Sequence, residues 1–255
     1  MVRPIFSPLS LARDVMRDDP GVRGRILAKR ARSVIAAEDA MARREQTESL
    51  ASQGEMMRST TYASDIWATA VTSLTPECLE FSLNAATDTL PHNSNLSKWR
   101  KDRHDQVLGV IAEMACTNLA ENYQLTVDLG SDNYHFPAHI ALTNLRPDLV
   151  IWSDVNKHLA IIELTVCYET GFEEAASRKM KRYSDLTSEA RERGYQSLTI
   201  PVQVGSKGVL EEDGLGQLRK ILNPVSDKAW KTFLMSLTRC VIEESHKIWI
   251  LRNKK

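Results

Sequence analysis

Arg146-Pro-Asp-Leu-Val-Ile-Trp-Ser153, Asp154-Val-Asn-Lys157 and His158-Leu-Ala-Ile-Ile-Glu-Leu-Thr-Val166 follow one another without a break, and their reading decides the fold. Two apolar, β-branched runs flank a polar four-residue stretch, which is the pattern of a β-hairpin. If Ser153 and His158 face each other, each step back along the first strand is a step forward along the second, and Asp148 then stands across from Glu163. Opposed residues of an antiparallel pair share a face, with Cβ atoms about 4.5–5.5 Å apart. The expectation holds for a hairpin of this loop without a bulge.

Two like charges at that separation repel. They also sit amid Val150, Ile151, Ile161 and Ile162, in a strand pair that reads as buried on both faces. Without compensation the arrangement is unfavourable. A divalent cation would compensate it: Mg²⁺ takes oxygen ligands, typically one or two carboxylates with water and phosphate, and can activate water and stabilise charge on a phosphodiester. Solvated acids at strand ends, paired with Arg146 and a helix lysine, are the plainer alternative. The Pro-Asp at a strand start and the isolated Glu inside an Ile/Leu/Val run favour the cation.

Outward from the hairpin, residues Asp102 to Leu119 carry Val107, Val110, Ile111 and Met114 at helical spacing, and Tyr123–Leu129 alternates as a strand. Downstream, a charged helix is expected over Phe172–Arg193, stopped by Gly194, then a strand over Ser197–Val204. Two more helices, Val209–Leu222 and Asp227–Arg252, are separated by Asn223-Pro224. This order predicts an α/β sheet flanked by helices. The division read from the sequence is an irregular leader over 1–20, a helical N-terminal region over 21–99, a core over 100–205 and C-terminal helices over 206–255. Within the N-terminal region, Pro76 breaks the helical stretch 63–89, and Asp88 to Asn95 reads as a linker. Arg23, Arg25, Lys29, Arg30 and Arg32 form a basic cluster with no intervening acid. It reads as a solvated helix face, with phosphate contact as the functional alternative.

The 255 residues are 42% hydrophobic and 26% charged, with 33 basic and 33 acidic side chains. This excludes a wholly disordered chain and a bulk basic protein, but not local nucleic-acid binding. No apolar run reaches membrane-spanning length. Cys78, Cys116, Cys167 and Cys240 are far apart in sequence, so neither disulfides nor zinc is expected.

Thr165 shares a strand face with Glu163, so a cation for the site must come from elsewhere. Arg178-Lys-Met-Lys-Arg-Tyr183 offers one. Lys179 lies on the helical stripe of Ala175, Tyr183 and Leu186 and is preferred over Lys181, whose neighbour Asp185 suggests a surface ion pair. Arg146, Arg178 and Arg182 are candidate backbone contacts. His104 and Asp105 either assist metal or DNA binding or cap a helix, with capping preferred. Glu113 is a further ligand or, by preference, a solvent-facing acid. Tyr183 stacks on a base, orients the site or packs in the core.

These residues resemble a PD-(D/E)XK, restriction-like nuclease core over about 100–205. Arg-Pro-Asp, fourteen residues, then Glu is similar to the endonuclease domain of site-specific non-LTR retrotransposons. There the lysine is commonly displaced to the following helix, which matches Thr165 and Lys179. Phe81–Pro91, Asn95-Leu-Ser-Lys-Trp99, Arg103-His-Asp-Gln-Val-Leu108 and Ile200-Pro-Val-Gln-Val-Gly205 extend the resemblance. Two departures stand out: Trp99 runs directly into Arg103-His104 without the usual Cys/His knuckle, and no polymerase palm is recognisable. The resemblance implies a restriction-endonuclease-like mixed sheet, Mg²⁺ (or Mn²⁺) on Asp148 and Glu163, charge stabilisation by Lys179 and nicking of target DNA; a DNA substrate in turn implies nuclear residence, with cytoplasmic residence as the alternative. The chain then reads as a C-terminal fragment, a degenerate copy or a co-opted one. The alternative is a catalytically inactive DNA-binding or protein-interaction relic of the same fold, and a third reading is a structural helical adaptor built on 21–99.

Overall fold

The computed structural model describes residues 32–39, 41–42, 64–86, 97–130, 134–222 and 224–251. The chain divides into two compact units, Met1–Gly54 and Glu55–Lys255. In the first, residues 32–39 and 41–42 are helical. The leader, Arg23, Arg25, Lys29 and Arg30, and the 88–95 linker lie outside the described residues.

The second unit contains β1 (Gln124–Val127), β2 (Leu149–Ser153), β3 (His158–Cys167) and β4 (Gln196–Gly205), hydrogen-bonded in that order. The first two pairings are antiparallel and β3–β4 is parallel, so the sheet is mixed. Its helices are α1 (Ser64–Val71), α2 (Pro76–Ala86), α3 (Ser97–Asn118), α4 (Phe172–Arg182), α5 (Ser184–Glu192), α6 (Glu212–Ile221) and α7 (Asp227–Leu251). Parallel strands need a crossover connection, and α4 and α5 supply it between β3 and β4. The hairpin pairs Ser153 with His158 and Leu149 with Ile162, the register expected from its loop.

Strand alternation divides the buried residues into two cores. Leu149 and Ile151 of β2 and Ala160, Ile162 and Leu164 of β3 join the larger one, with Val107, Leu108 and Ile111 of α3 and Leu237 and Val241 of α7. Val150, Trp152, Leu159 and Ile161 face the other way, against Tyr183 and, from α5, Leu186 and Ala190. Fully burying one such aliphatic side chain contributes about 1.5–3 kcal/mol, so the sheet is anchored from both sides. With a period of two, Glu163 follows Leu159 and Ile161 onto the α4–α5 face. That face is where the site forms.

The expected single helix over Phe172–Arg193 is two, broken at Tyr183 (φ −105°, ψ 8°). The hydroxyls of Ser184, Thr187 and Ser188 donate to the carbonyls of Lys181 and Ser184. Such back-bonding competes with the helical ladder and bends it. Gly194 ends α5 at φ 84°, with its amide and that of Tyr195 bonded to Arg191 O and Ala190 O, a glycine cap. Pro76 occupies the first position of α2, where its missing N–H removes no helical bond.

α2 and α7 also bring Cys78 Sγ within 3.1 Å of His246 Nδ1, beside Phe81. Burial holds the His246 imidazole below its ordinary value, against the weaker pull of Glu77. A depressed folded value gives stability that is full above the unfolded value of 6.5 and is lost as pH falls through it. Melting temperatures between about pH 7.5 and about pH 5.5 should therefore drop less in His246→Gln than in the wild type. An identical slope would contradict this account of His246.

Candidate active site

Asp148 immediately precedes β2, and Glu163 lies across from it on β3. The two strands exchange reciprocal bonds through these acids: the Asp148 amide donates to Glu163 Oε1 at 3.1 Å, and the Leu164 amide donates to Asp148 Oδ2 at 2.8 Å. Lys179 of α4 donates to Glu163 Oε2, and its Nζ lies 3.7 Å from Asp148 Oδ2. Both carboxylates thus turn to one ammonium, on the face that strand alternation assigns to them. Glu163 is 1% exposed and Lys179 25%, so the acid is interior and the cation reaches it from the rim.

Burial, then the charge of Asp148, raise the Glu163 carboxyl above its ordinary range, and Lys179 and Tyr183 only partly counter them. The Tyr183 ring is fully buried. Its hydroxyl donates to Arg146 O at 3.4 Å. Burial, then the neighbouring Glu163 carboxyl, push the phenol upward. From α3, His104 places Nε2 3.4 Å from Asp148 Oδ2 and Nδ1 3.2 Å from Asp105 Oδ1. Burial lowers the imidazole, but the bonds to Asp148 and Asp105 outweigh it and hold it above its ordinary value.

The structure therefore gathers Asp148, Glu163 and Lys179, with Tyr183 and His104 touching the acids and Asp105 behind His104. It does not bring Glu113 to them. That residue is exposed on α3 and lines a groove with Asp102, Asp105 and Gly109. Arg178, Lys181 and Arg182 are exposed on α4, with Arg182 over the Tyr183 ring. Arg146 is paired: Nε and Nη2 donate to Asp128 Oδ2 and Oδ1 at 2.9 and 2.7 Å, and its guanidinium lies 5.2 Å from the Tyr134 ring centroid. A fork-to-fork pair of this kind is among the stronger side-chain contacts, so Arg146 first serves to brace the segment ahead of Asp148.

Asp128 and Tyr134 are residues the sequence reading missed. Asp128 carried a signal: extending the β1–β2 pairing past Val127 and Leu149 brings it beside Asp148, whose carbonyl accepts from its amide at 2.8 Å. Tyr134 lies in a loop and carried none. Among the described residues, no group of three or more His, Cys, Asp or Glu side chains gathers to hold a metal ion. No helix among them is long and apolar enough to cross a membrane. No protein-family model matches the chain, and no curated protein matches it.

Proposed function

We propose that the chain is a Mg²⁺- or Mn²⁺-dependent DNA endonuclease of restriction-like fold, similar to the endonuclease region of site-specific non-LTR retrotransposons. One observation carries the reading: a buried glutamate and the aspartate across the hairpin direct their carboxylates to the same point. The strand order and the parallel β3–β4 crossover agree with such a core.

The donor set fits a hard divalent cation. Asp148 and Glu163 offer only carboxylate oxygens, in a place where an uncompensated charge costs several kcal/mol. Mg²⁺ requires no more than one or two protein carboxylates. Such an ion, when bound, makes water a stronger nucleophile and neutralises charge on a phosphodiester. Lys179 stabilises charge developing on the phosphate oxygens or positions the attacking water. Arg178 and Arg182, exposed on the same helix, hold backbone phosphates, with Lys181 in reserve. Tyr183 and His104 fix the two acids.

A second reading, an inert DNA-binding or protein-interaction relic, draws on the Lys179–Glu163 pair, which neutralises the acid without any metal. Plasmid relaxation separates the two. The purified chain should convert supercoiled plasmid to open circles with Mg²⁺ or Mn²⁺, and chelation should stop it. Lys179→Ala should nick roughly 100-fold more slowly, with Lys179→Arg recovering part of the loss. DNA retention on a gel without open circles in either metal would select the inert reading. Wild-type nicking by Lys179→Ala would remove that lysine from the site.

A further inference from the structure

We infer that Tyr134 belongs to the Asp148–Glu163 site, as the hydrogen-bond donor to a water held against the two carboxylates. The inference deepens the nuclease reading and rests on it. Tyr134 is 7% exposed, and among the described residues its hydroxyl has no hydrogen-bond partner. A phenol buried this way without a partner is unfavourable, and native proteins keep few such groups. Phenylalanine would pack equally well beneath a guanidinium, so the oxygen calls for a ligand.

The surroundings say which ligand. The Tyr134 ring lies under Arg146, and Arg146 is fixed at both ends: its guanidinium on Asp128, its carbonyl on the Tyr183 hydroxyl. Asp148 follows two residues later, so the ring packs on the segment that delivers this acid. Burial, then the charges of Asp128, Glu163 and Asp148, hold the phenol above its ordinary value. It therefore remains a protonated donor. Among the described residues no carboxylate bonds it directly, so the acceptor is one that itself donates to carboxylates. Water does both, whereas a phosphate oxygen accepts only.

Tyr134→Phe deletes one oxygen and keeps the ring. Its melting temperature should change little, because only a bond to water is lost and the ring packing is kept. At saturating Mn²⁺ its nicking rate should fall roughly ten- to a hundredfold, with KM for plasmid unchanged. A crystal structure of the wild-type chain should show ordered solvent within hydrogen-bond reach of Tyr134 Oη and of an Asp148 or Glu163 oxygen.

A Tyr134→Phe rate equal to wild type, in a protein that Asp148→Ala and Glu163→Ala inactivate, would overturn the inference and leave the nuclease reading standing. So would a marked fall in melting temperature, which would make the hydroxyl structural, or an Oη without solvent in the crystal. Nicking that survives both acid substitutions would instead remove the assignment of cleavage to Asp148 and Glu163. The crystal structure then decides alone whether Tyr134 holds water.

Discussion

Asp148→Ala and Glu163→Ala should each fold normally and nick DNA at least roughly 10³-fold more slowly than the wild type, because each removes half of a shared cation site worth several kcal/mol of barrier. The preserved fold follows from where these side chains lie. Neither belongs to the two apolar cores. Asp148→Ala leaves the Leu164 amide without its acceptor, a cost of about 1–3 kcal/mol. Glu163 already weighs against stability at neutral pH. Its folded value is raised above 4.5, so its contribution is full below that value and lost as pH rises through the folded one. Glu163→Gln should therefore match or exceed the wild-type melting temperature at pH 7 while losing activity. The double variant should be no slower than either single one, since both acids serve one ion. Plasmid relaxation rates beside thermal melts check this. A single variant that keeps the wild-type rate would contradict the shared site.

The largest structural effect should come from Gly214→Ala. A Cβ there would sit 2.1 Å from Pro201 O and 3.1 Å from Val202 Cα. These are backbone atoms of β4, which no side-chain rotation moves aside. Accommodating the methyl lifts α6 from the strand and opens the contact through which Leu215 and Leu218 join Ile200 and Val202 in the larger core. Alanine normally exceeds glycine in helices by about 1 kcal/mol, but here the sign reverses. An overpacking cost of about 3 kcal/mol implies a fall in melting temperature of roughly 6–12 °C for a unit of this size. Gly216, one residue further on than Leu215, has open space around its Cβ position and provides the control: Gly216→Ala should be neutral or stabilising. Equal melting temperatures for the two variants would contradict the close approach of α6 and β4.

The hairpin was legible because its two signals agree. A four-residue polar loop fixes the register, and a period of two turns that register into a face. Glu163 stood out as a lone acid in an apolar run, and Lys179 as the cation on the stripe of Ala175, Tyr183 and Leu186, all three of which are buried. What stayed hidden depends on contacts without a local period. The break at Tyr183 needs hydroxyls turned back onto the helix. The reach of His104 from α3 to Asp148 joins residues far apart in sequence. Tyr134 stands in an irregular loop where burial leaves no pattern, and Arg146 looked like a free phosphate contact until Asp128 was found in its fork. The Gly214 approach is equally silent, since a glycine inside a helical stretch looks only like a weak helix former.

Calorimetric titration of Mn²⁺ into the wild-type chain, Asp148→Ala and Glu163→Ala bears most directly on whether these two acids hold a common cation. One saturable site per wild-type chain, weakened at least roughly tenfold in each variant, is the expected result. Indistinguishable isotherms for all three proteins would contradict it.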